Sequence, residues 1–193
     1  MSHGHGHARY LYGPSLRAFP STLLAGAIKS VQAGVITIAD TQTTGTATVV
    51  AVVLNNSILI HLGQLSPALS TPDSALARVE LTNTTTVTAT RAANVNPLPV
   101  SFVLLEFLPG VIKSRQTGTI SLTSVASATA TITGVNITKT ALFWLGYSTN
   151  RASLNNADLW HPDLVLTNTT TITASVGSGT DTTVVPYQAV EFF

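Results

Sequence analysis

The chain has 193 residues, of which 45% are apolar and only 9% are charged, and its formal net charge is +1. Soluble domains usually carry roughly 25% charged residues, and a chain this close to neutral offers no basic surface for phosphates, so nucleic acid is not an expected partner. The absence of cysteine excludes disulfides, thiolate metal sites and cysteine nucleophiles. No run approaches the ~20 apolar residues that span a bilayer, so no membrane segment is expected.

Residues 1–27 are predicted to form an extended N-terminal arm that docks on a neighbouring subunit. The segment combines aromatic residues with arginine, the residue types enriched at protein interfaces, and two prolines discourage regular structure. A frayed terminus, or a segment that folds back over its own domain, remains an alternative. The candidate interface residues in the arm are Arg9, Tyr10, Tyr12, Arg17 and Phe19.

The arm also contains three histidines that alternate with glycines, His3, His5 and His7. Neutral imidazoles could bind Zn²⁺ or Ni²⁺. The glycines give this segment high chain entropy, however, and its ordering would need a partner. We therefore predict no metal site here and interpret the pattern as adventitious metal binding or disorder.

The rest of the chain is a tandem duplication. Four blocks recur in the same order at a separation of 83 to 85 residues: 28–34 with 112–118, 62–63 with 145–146, 81–89 with 166–174, and 106–107 with 191–192. Four blocks at one separation indicate matching positions of a single repeated unit. The sequence therefore predicts two modules, 28–107 and 112–193. The linker 108–111 is too short for independent tumbling, so we expect a fixed relative orientation.

Each module is predicted to consist of short β-strands. Threonine alternates with Val, Ile or Ala, which places one face inward and a hydroxyl-bearing face outward, and threonine is β-branched and favours strands. In the first module the predicted strands are 35–38, 46–53, 58–62, 77–81, 86–90 and 100–107; in the second, 129–133 shows the clearest alternation. No stretch shows a helical period. The predicted fold is all-β, with two tandem antiparallel β-sandwich modules preceded by the arm.

The ionisable residues do not suggest a catalytic site. Glu106 and Glu191 occupy equivalent positions in separate modules, so we interpret them as structural edge or rim charges and not as an acid/base pair in one cleft. His61 is replaced by Trp144 in the second module, which indicates packing. We predict that the chain is not an enzyme, with no catalytic, cofactor-binding or metal-binding residues.

One local cluster lies in the long loop of the second module. Trp160 and His161 are followed by Pro162 and Asp163, without a nucleophile motif such as Gly-x-Ser-x-Gly. We interpret Trp160 and His161 as candidate residues of an interface or of a ligand-contacting loop.

The low charge itself favours assembly. Isolated soluble proteins usually rely on mixed surface charge, whereas uncharged hydroxyl faces avoid the cost of burying unpaired ions at interfaces. We therefore expect a homo-oligomer, either a trimer or a hexamer. A monomeric extracellular adhesion module is the alternative.

The repeated blocks resemble small β-rich structural modules encoded by tailed bacteriophages. The resemblance covers residues 28–193 through the Ile-Lys-Ser-x-Gln-x-Gly block, the Leu-Thr-Asn-x-Thr run and the terminal Glu-Phe. It implies a structural virion protein that is assembled in the host cytoplasm, with partners among the tail, neck, portal or major capsid proteins. A tail, neck or fibre component anchored by the arm is favoured over capsid decoration or a head fibre. Outside this resemblance stands a host-surface or saccharide-binding module that uses the loop 148–162.

Overall fold

The structure is a computed structural model that describes residues 26–66 and 71–193. The prediction of an all-β chain is confirmed, since thirteen strands dominate the described residues. The first half contains β1 (Ile28–Ile38), β2 (Thr44–Thr48), β3 (Ser57–Gln64), β4 (Ala77–Asn83), β5 (Thr86–Arg91) and β6 (Leu98–Phe107). The second half contains β7 (Ile112–Thr123), β8 (Ser127–Thr131), β9 (Thr140–Trp144), β10 (Ser148–Thr149), β11 (Asp163–Asn168), β12 (Thr171–Ser175) and β13 (Thr182–Phe192).

The helical content of the described residues is small. One α-helical turn, α1 (Pro72–Ala75), precedes β4, and its proline stands in the first turn, where its missing N–H is not needed. Three 3₁₀ turns cover Leu54–Asn56, Ile137–Lys139 and Ala157–Leu159. None of these helices is long and apolar enough to cross a membrane.

Each half contains two antiparallel sheets that pack face to face. The strand orders are β1-β6-β3 and β2-β5-β4 in the first half; in the second, β13 pairs with β7 on one side and with β9 and β10 on the other, and β12 lies between β8 and β11. Inward side chains of both sheets form one buried cluster per half, with Phe102 and Val79 in the first and Tyr187 and Ile172 in the second. The fold of each half is thus β-sandwich-like.

Duplicated sequence blocks make the same local contacts in both halves. The amide oxygen of Asn83 accepts a hydrogen bond from the Thr85 N–H at 2.8 Å, and that of Asn168 accepts one from the Thr170 N–H at 2.9 Å. The repeated Asn-Thr-Thr run is therefore a repeated side-chain-capped turn. The module boundaries 28–107 and 112–193 stay a prediction, because Leu145 from the second half packs in the core of the first half.

The strand predicted over 46–53 is shorter in the structure. β2 ends at Thr48, and the chain then leaves the ladder although Val and Ala continue the strand-like composition. The side chain of Gln32 binds this segment, accepting from the Val50 N–H at 2.7 Å and donating to the Val50 carbonyl at 2.9 Å. A side-chain amide thus replaces a neighbouring strand. Gln116 does the same at Thr133 in the second half.

Candidate functional site

The two halves meet across a buried interface. β6 alternates strictly between buried and half-buried residues, as a sheet with one open face does. Its counterpart β13 is buried without interruption from Val185 to Glu191. The outer face of β13 is therefore covered by the first half, where Ile58 packs against Ile112 and Val190, whereas Thr117, Thr119 and Ser121 of β7 stay exposed.

The segment Leu145-Gly146 inserts into the first half. Leu145 is 3% exposed and belongs to the core of the first half. Its carbonyl accepts a hydrogen bond from the Val79 N–H at 2.8 Å, and Gly146 forms a β-bridge with Arg78 at the edge of β4. The second half therefore extends a sheet of the first.

Polar side chains pair across the same interface. Gln188 accepts from the Leu59 N–H at 3.3 Å and donates to the Leu59 carbonyl at 3.4 Å, while its oxygen also accepts from Arg115 Nε at 3.1 Å. Arg78 donates to the Ser148 hydroxyl at 2.7 Å. These bonds satisfy groups that the interface removes from water, as buried polar groups require.

A small cleft opens between the halves. It has a volume of about 190 Å³, and Glu80 from β4 and Arg115 from β7 both line it. Burial lowers the pKa of Arg115 and raises the pKa of Tyr187, which also lines the cleft. Ligand pockets usually measure roughly 300–1,000 Å³, so the cleft is small for a substrate.

The first half exposes three apolar side chains on β1 and β3, the strands at the two edges of one of its sheets. Val31, Val35 and Leu62 occupy repeat positions equivalent to Arg115, Thr119 and Leu145, and each is more than half exposed. We name Val31, Val35 and Leu62 the outer patch. Exposed apolar side chains grouped on one face are typical of an interaction surface, so the outer patch is the candidate functional site.

The predicted interface residues divide into two groups. Arg9, Tyr10, Tyr12, Arg17 and Phe19 lie outside the described residues, as do the three histidines of the arm. Trp160 and His161 are described. His161 is exposed, and its Nδ1 lies 2.6 Å from the hydroxyl of Tyr147. Burial lowers the pKa of His161 and raises the pKa of Tyr147.

Trp160 does not present a contact surface. Its side chain is 8% exposed and packs in the core of the second half, with its ring centroid 4.2 Å from that of His161. A core position explains an isolated tryptophan in a loop, because one large side chain anchors the loop to the sandwich. Of the two loop candidates, only His161 offers surface to a partner.

Trp160→Ala is expected to lower the free energy of unfolding by about 3 kcal/mol or more, because it empties a large buried volume. His161→Ala, the neighbouring control, is expected to cost about 1 kcal/mol through its bond to Tyr147. Urea unfolding of both variants measures the difference. Equal midpoints for the two variants would contradict the core role of Trp160.

The two equivalent glutamates are buried and structural. They were predicted at an edge or rim, but each is only 2% exposed. Glu106 accepts from Lys29 Nζ at 2.9 Å and from the Val53 N–H at 2.9 Å. Glu191 accepts from Lys113 Nζ at 2.8 Å and from the Asn136 N–H at 3.0 Å. Each carboxylate therefore ties a loop to the first strand of its half.

The same contacts lower both carboxyl pKa values. Burial by itself would raise the pKa of Glu106, but the Val53 amide and Lys29 together bring it below its usual range. For Glu191 the bond from Lys113 lowers the pKa most, followed by the bond from the Asn136 amide. A depressed pKa stabilises the fold above the unfolded-state pKa, and that contribution is lost as the pH falls through the folded-state value.

The double variant Glu106→Gln/Glu191→Gln is expected to flatten the acid limb of the stability curve. It is less stable than the parent at neutral pH, and the gap closes below pH ~4, where the parent's carboxyls also become neutral. Urea midpoints between pH 7 and pH 3 test this. A gap that stays constant with pH would show that the two carboxylates do not carry the linkage.

His61 also has a packing role, as its replacement by Trp144 suggested. It is partly buried beside Gly146, and burial lowers its pKa. Within residues 26–66 and 71–193, no three histidine or acidic side chains group as metal ligands would. Comparisons with family models, with curated proteins and with solved structures gave no match.

The short linker predicted a fixed relative orientation of the halves, but the residues of the interface between them were not predicted. Nothing in the local sequence distinguishes Arg78, Leu145 or Gln188 as interface residues. Only the repeated Leu-Gly pair indicated a special role for one segment of the interface. A glycine retained at the same repeat position is a signal of close backbone approach or of positive φ.

Proposed function

We propose that the chain is a non-enzymatic structural component of a tailed-phage virion, most simply a tail, neck or fibre protein anchored by residues 1–27. The observation that carries the proposal is the outer patch. It leaves large apolar side chains exposed on a chain with few charges to keep it dispersed. Such a surface suits a protein that works inside an assembly.

The rigid coupling of the halves supports the same role. Leu145 and Gln188 fasten the second half to the first through core packing and paired hydrogen bonds. Both buried glutamates stabilise loops, which accounts for them without chemistry on a substrate. The proposed partners are other virion proteins of the tail, neck, portal or capsid, together with further copies of this chain.

The experiment that tests the proposal is the copy number per purified virion. Quantitative mass spectrometry against the major capsid protein is expected to give a small multiple of three or six, as cyclic symmetry of a tail or neck requires. Hundreds of copies would instead identify a capsid decoration protein. Absence from the particle would overturn both structural roles.

The saccharide-binding alternative has less support from the loop that suggested it. Trp160, the aromatic side chain that would stack on a sugar, is packed in the core. His161 remains exposed beside Tyr147. A glycan array with the purified chain is expected to be negative, and a specific signal lost in His161→Ala would favour the saccharide-binding role.

A further inference from the structure

The contact made by Leu145-Gly146 is heterologous, which means that each half contributes a different surface to it. The first half contributes the edge of β4, where Arg78 and Val79 receive the second half. The second half contributes Leu145-Gly146, whereas in the neighbouring apolar cluster the repeat-equivalent residues Phe107 and Phe192 pack edge to face. The repeat equivalent of Leu145 is Leu62, which is 59% exposed and takes no such position. The contact is therefore head-to-tail and is made once within the chain.

A head-to-tail contact between repeated units leaves one surface of each kind at the two ends. The first half keeps Leu62 and Val31 of the outer patch exposed, although their repeat equivalents Leu145 and Arg115 are buried and half-buried. The second half keeps the edge of β11, which is equivalent to the edge of β4, since Leu164 and Val165 match Val79 and Glu80. Among the described strands β11 pairs only with β12, which leaves its other edge open there, and Val165 is 48% exposed.

The glycines of the two Leu-Gly pairs differ in the same way. Gly146 has a φ of +76°, and a Cβ there would lie 2.4 Å from the carbonyl oxygen of Ala77 in the first half. Gly63 has a φ of +114°, and no described atom lies within 4 Å of its Cβ position. The first half therefore repeats the Leu-Gly segment that docks against a strand edge in the second, but no strand of the described residues lies beside it.

The side chains on the two sides of the contact differ in character between the internal interface and the two free surfaces. Glu80 and Arg115 line one cleft across the internal interface, as an acid and a base. Their repeat equivalents are Val165 on the β11 edge and Val31 in the outer patch. Two oppositely charged residues at the internal cleft thus correspond to two apolar residues on the free surfaces. Each combination is complementary.

We propose that the outer patch of one chain docks on the β11 edge of a second copy, repeating the contact of Leu145-Gly146 with the edge of β4. In this contact Leu62-Gly63 of one copy lies against Asp163 and Leu164 of the next, the equivalents of Arg78 and Val79, and Val31 packs near Val165. The occupant is a second copy because the chain already contains this interface between its own repeats. Repetition gives a ring if the rotation closes and a filament otherwise.

The first test is the mass of the full-length purified chain by sedimentation velocity over a concentration series. Association above the monomer is expected. Val31→Arg and Val165→Glu are each expected to weaken it by about tenfold or more, because each places an unpaired charge in an apolar contact. Val50→Arg, at an exposed valine outside both surfaces, is the matched control and is expected to leave association unchanged.

The double variant Val31→Arg/Val165→Glu is the decisive measurement. It places an arginine and a glutamate at the positions equivalent to Arg115 and Glu80, which line one cleft within the chain, and opposite charges brought together in this way are expected to recover association that either single variant loses. Thermal unfolding of each variant shows whether it is folded. Association that neither single variant weakens, or that the double variant does not recover, would overturn the proposal.

A monomeric parent would also overturn the proposal. If the chain then associates only after removal of residues 1–25, the arm and not a second copy occupies the outer patch. Neither outcome depends on the virion copy number, so failure here leaves the proposed function to its own test.

Discussion

Replacing Arg91 with methionine is expected to destabilise the chain by about 4 kcal/mol or more. Arg91 is 2% exposed, yet no carboxylate lies within ion-pairing distance of it among the described residues. Its guanidinium instead donates to backbone carbonyls of the loops that close one end of the first half. The acceptors are the carbonyls of Ala39, Gln42, Ser74, Val95 and Asn96, at 2.6 to 3.3 Å.

The size of the effect follows from the number of acceptors. A buried acceptor that loses its donor costs about 1–3 kcal/mol, and methionine leaves five carbonyls without their shared donor. Water at the loop surface restores part of the loss, which is why the total is well below the sum. Burial lowers the pKa of Arg91, and arginine side chains carry their charge in proteins at neutral pH.

Two further variants sharpen the test. Arg91→Lys is expected to lose less stability, because an ammonium supplies three donors where the guanidinium supplies five. Val176→Met, at the equivalent position of the second half, is expected to cost less than about 1 kcal/mol, since only a half-buried apolar side chain changes. Urea unfolding followed by far-ultraviolet circular dichroism measures all three. An Arg91→Met loss no larger than that of Val176→Met would contradict the role of Arg91.

Gly146→Ala is expected to lower the free energy of unfolding by about 3 kcal/mol, against about 1 kcal/mol for Gly63→Ala. Both glycines have positive φ, so both alanine variants pay the strain of a left-handed backbone, about 1 kcal/mol. Only at Gly146 does the new methyl group meet the Ala77 carbonyl. Overpacking of this kind adds about 1–3 kcal/mol.

The paired glycine variants isolate the interface between the halves. Unfolding is measured at a dilute concentration at which the chain is monomeric, so that contacts between copies do not contribute. We expect Gly146→Ala also to increase amide hydrogen exchange at Val79, whose N–H bonds to Leu145. Equal losses for the two variants would show that the close approach at Gly146 does not stabilise the fold.

The sequence predicted local structure well where the pattern is local. Alternation of polar with apolar residues placed β4 and β5 close to their observed bounds, because a strand with one buried face has period two, and a run rich in Val, Leu and Phe placed β6. The prediction failed after Thr48. The composition remains strand-like there, but Gln32 takes over the hydrogen bonds of the segment. Gln32 lies 18 residues away in the sequence, so its contact with Val50 is tertiary. Local periodicity does not show such a contact.

The candidate site was accessible to sequence reasoning only in part. Glu106 and Glu191 were recognised as structural equivalents, but their burial was missed, because a charged residue at a strand end is usually exposed. Trp160 was assigned to an interface by residue type, whereas the structure buries it. Arg91 drew no attention, since nothing in its neighbourhood in the sequence shows that distant loops converge on it.

The all-β class and the internal duplication can be read from the amino-acid sequence, because short-range periodicity and repeated blocks carry both properties. The head-to-tail docking of Leu145 on the first half, with Leu62 exposed at the equivalent position, depends on tertiary contacts. Both segments carry Leu-Gly with a positive φ at the glycine, but their surroundings differ. Leu145 has a strand edge of the other half beside it, and Leu62 in the described structure does not.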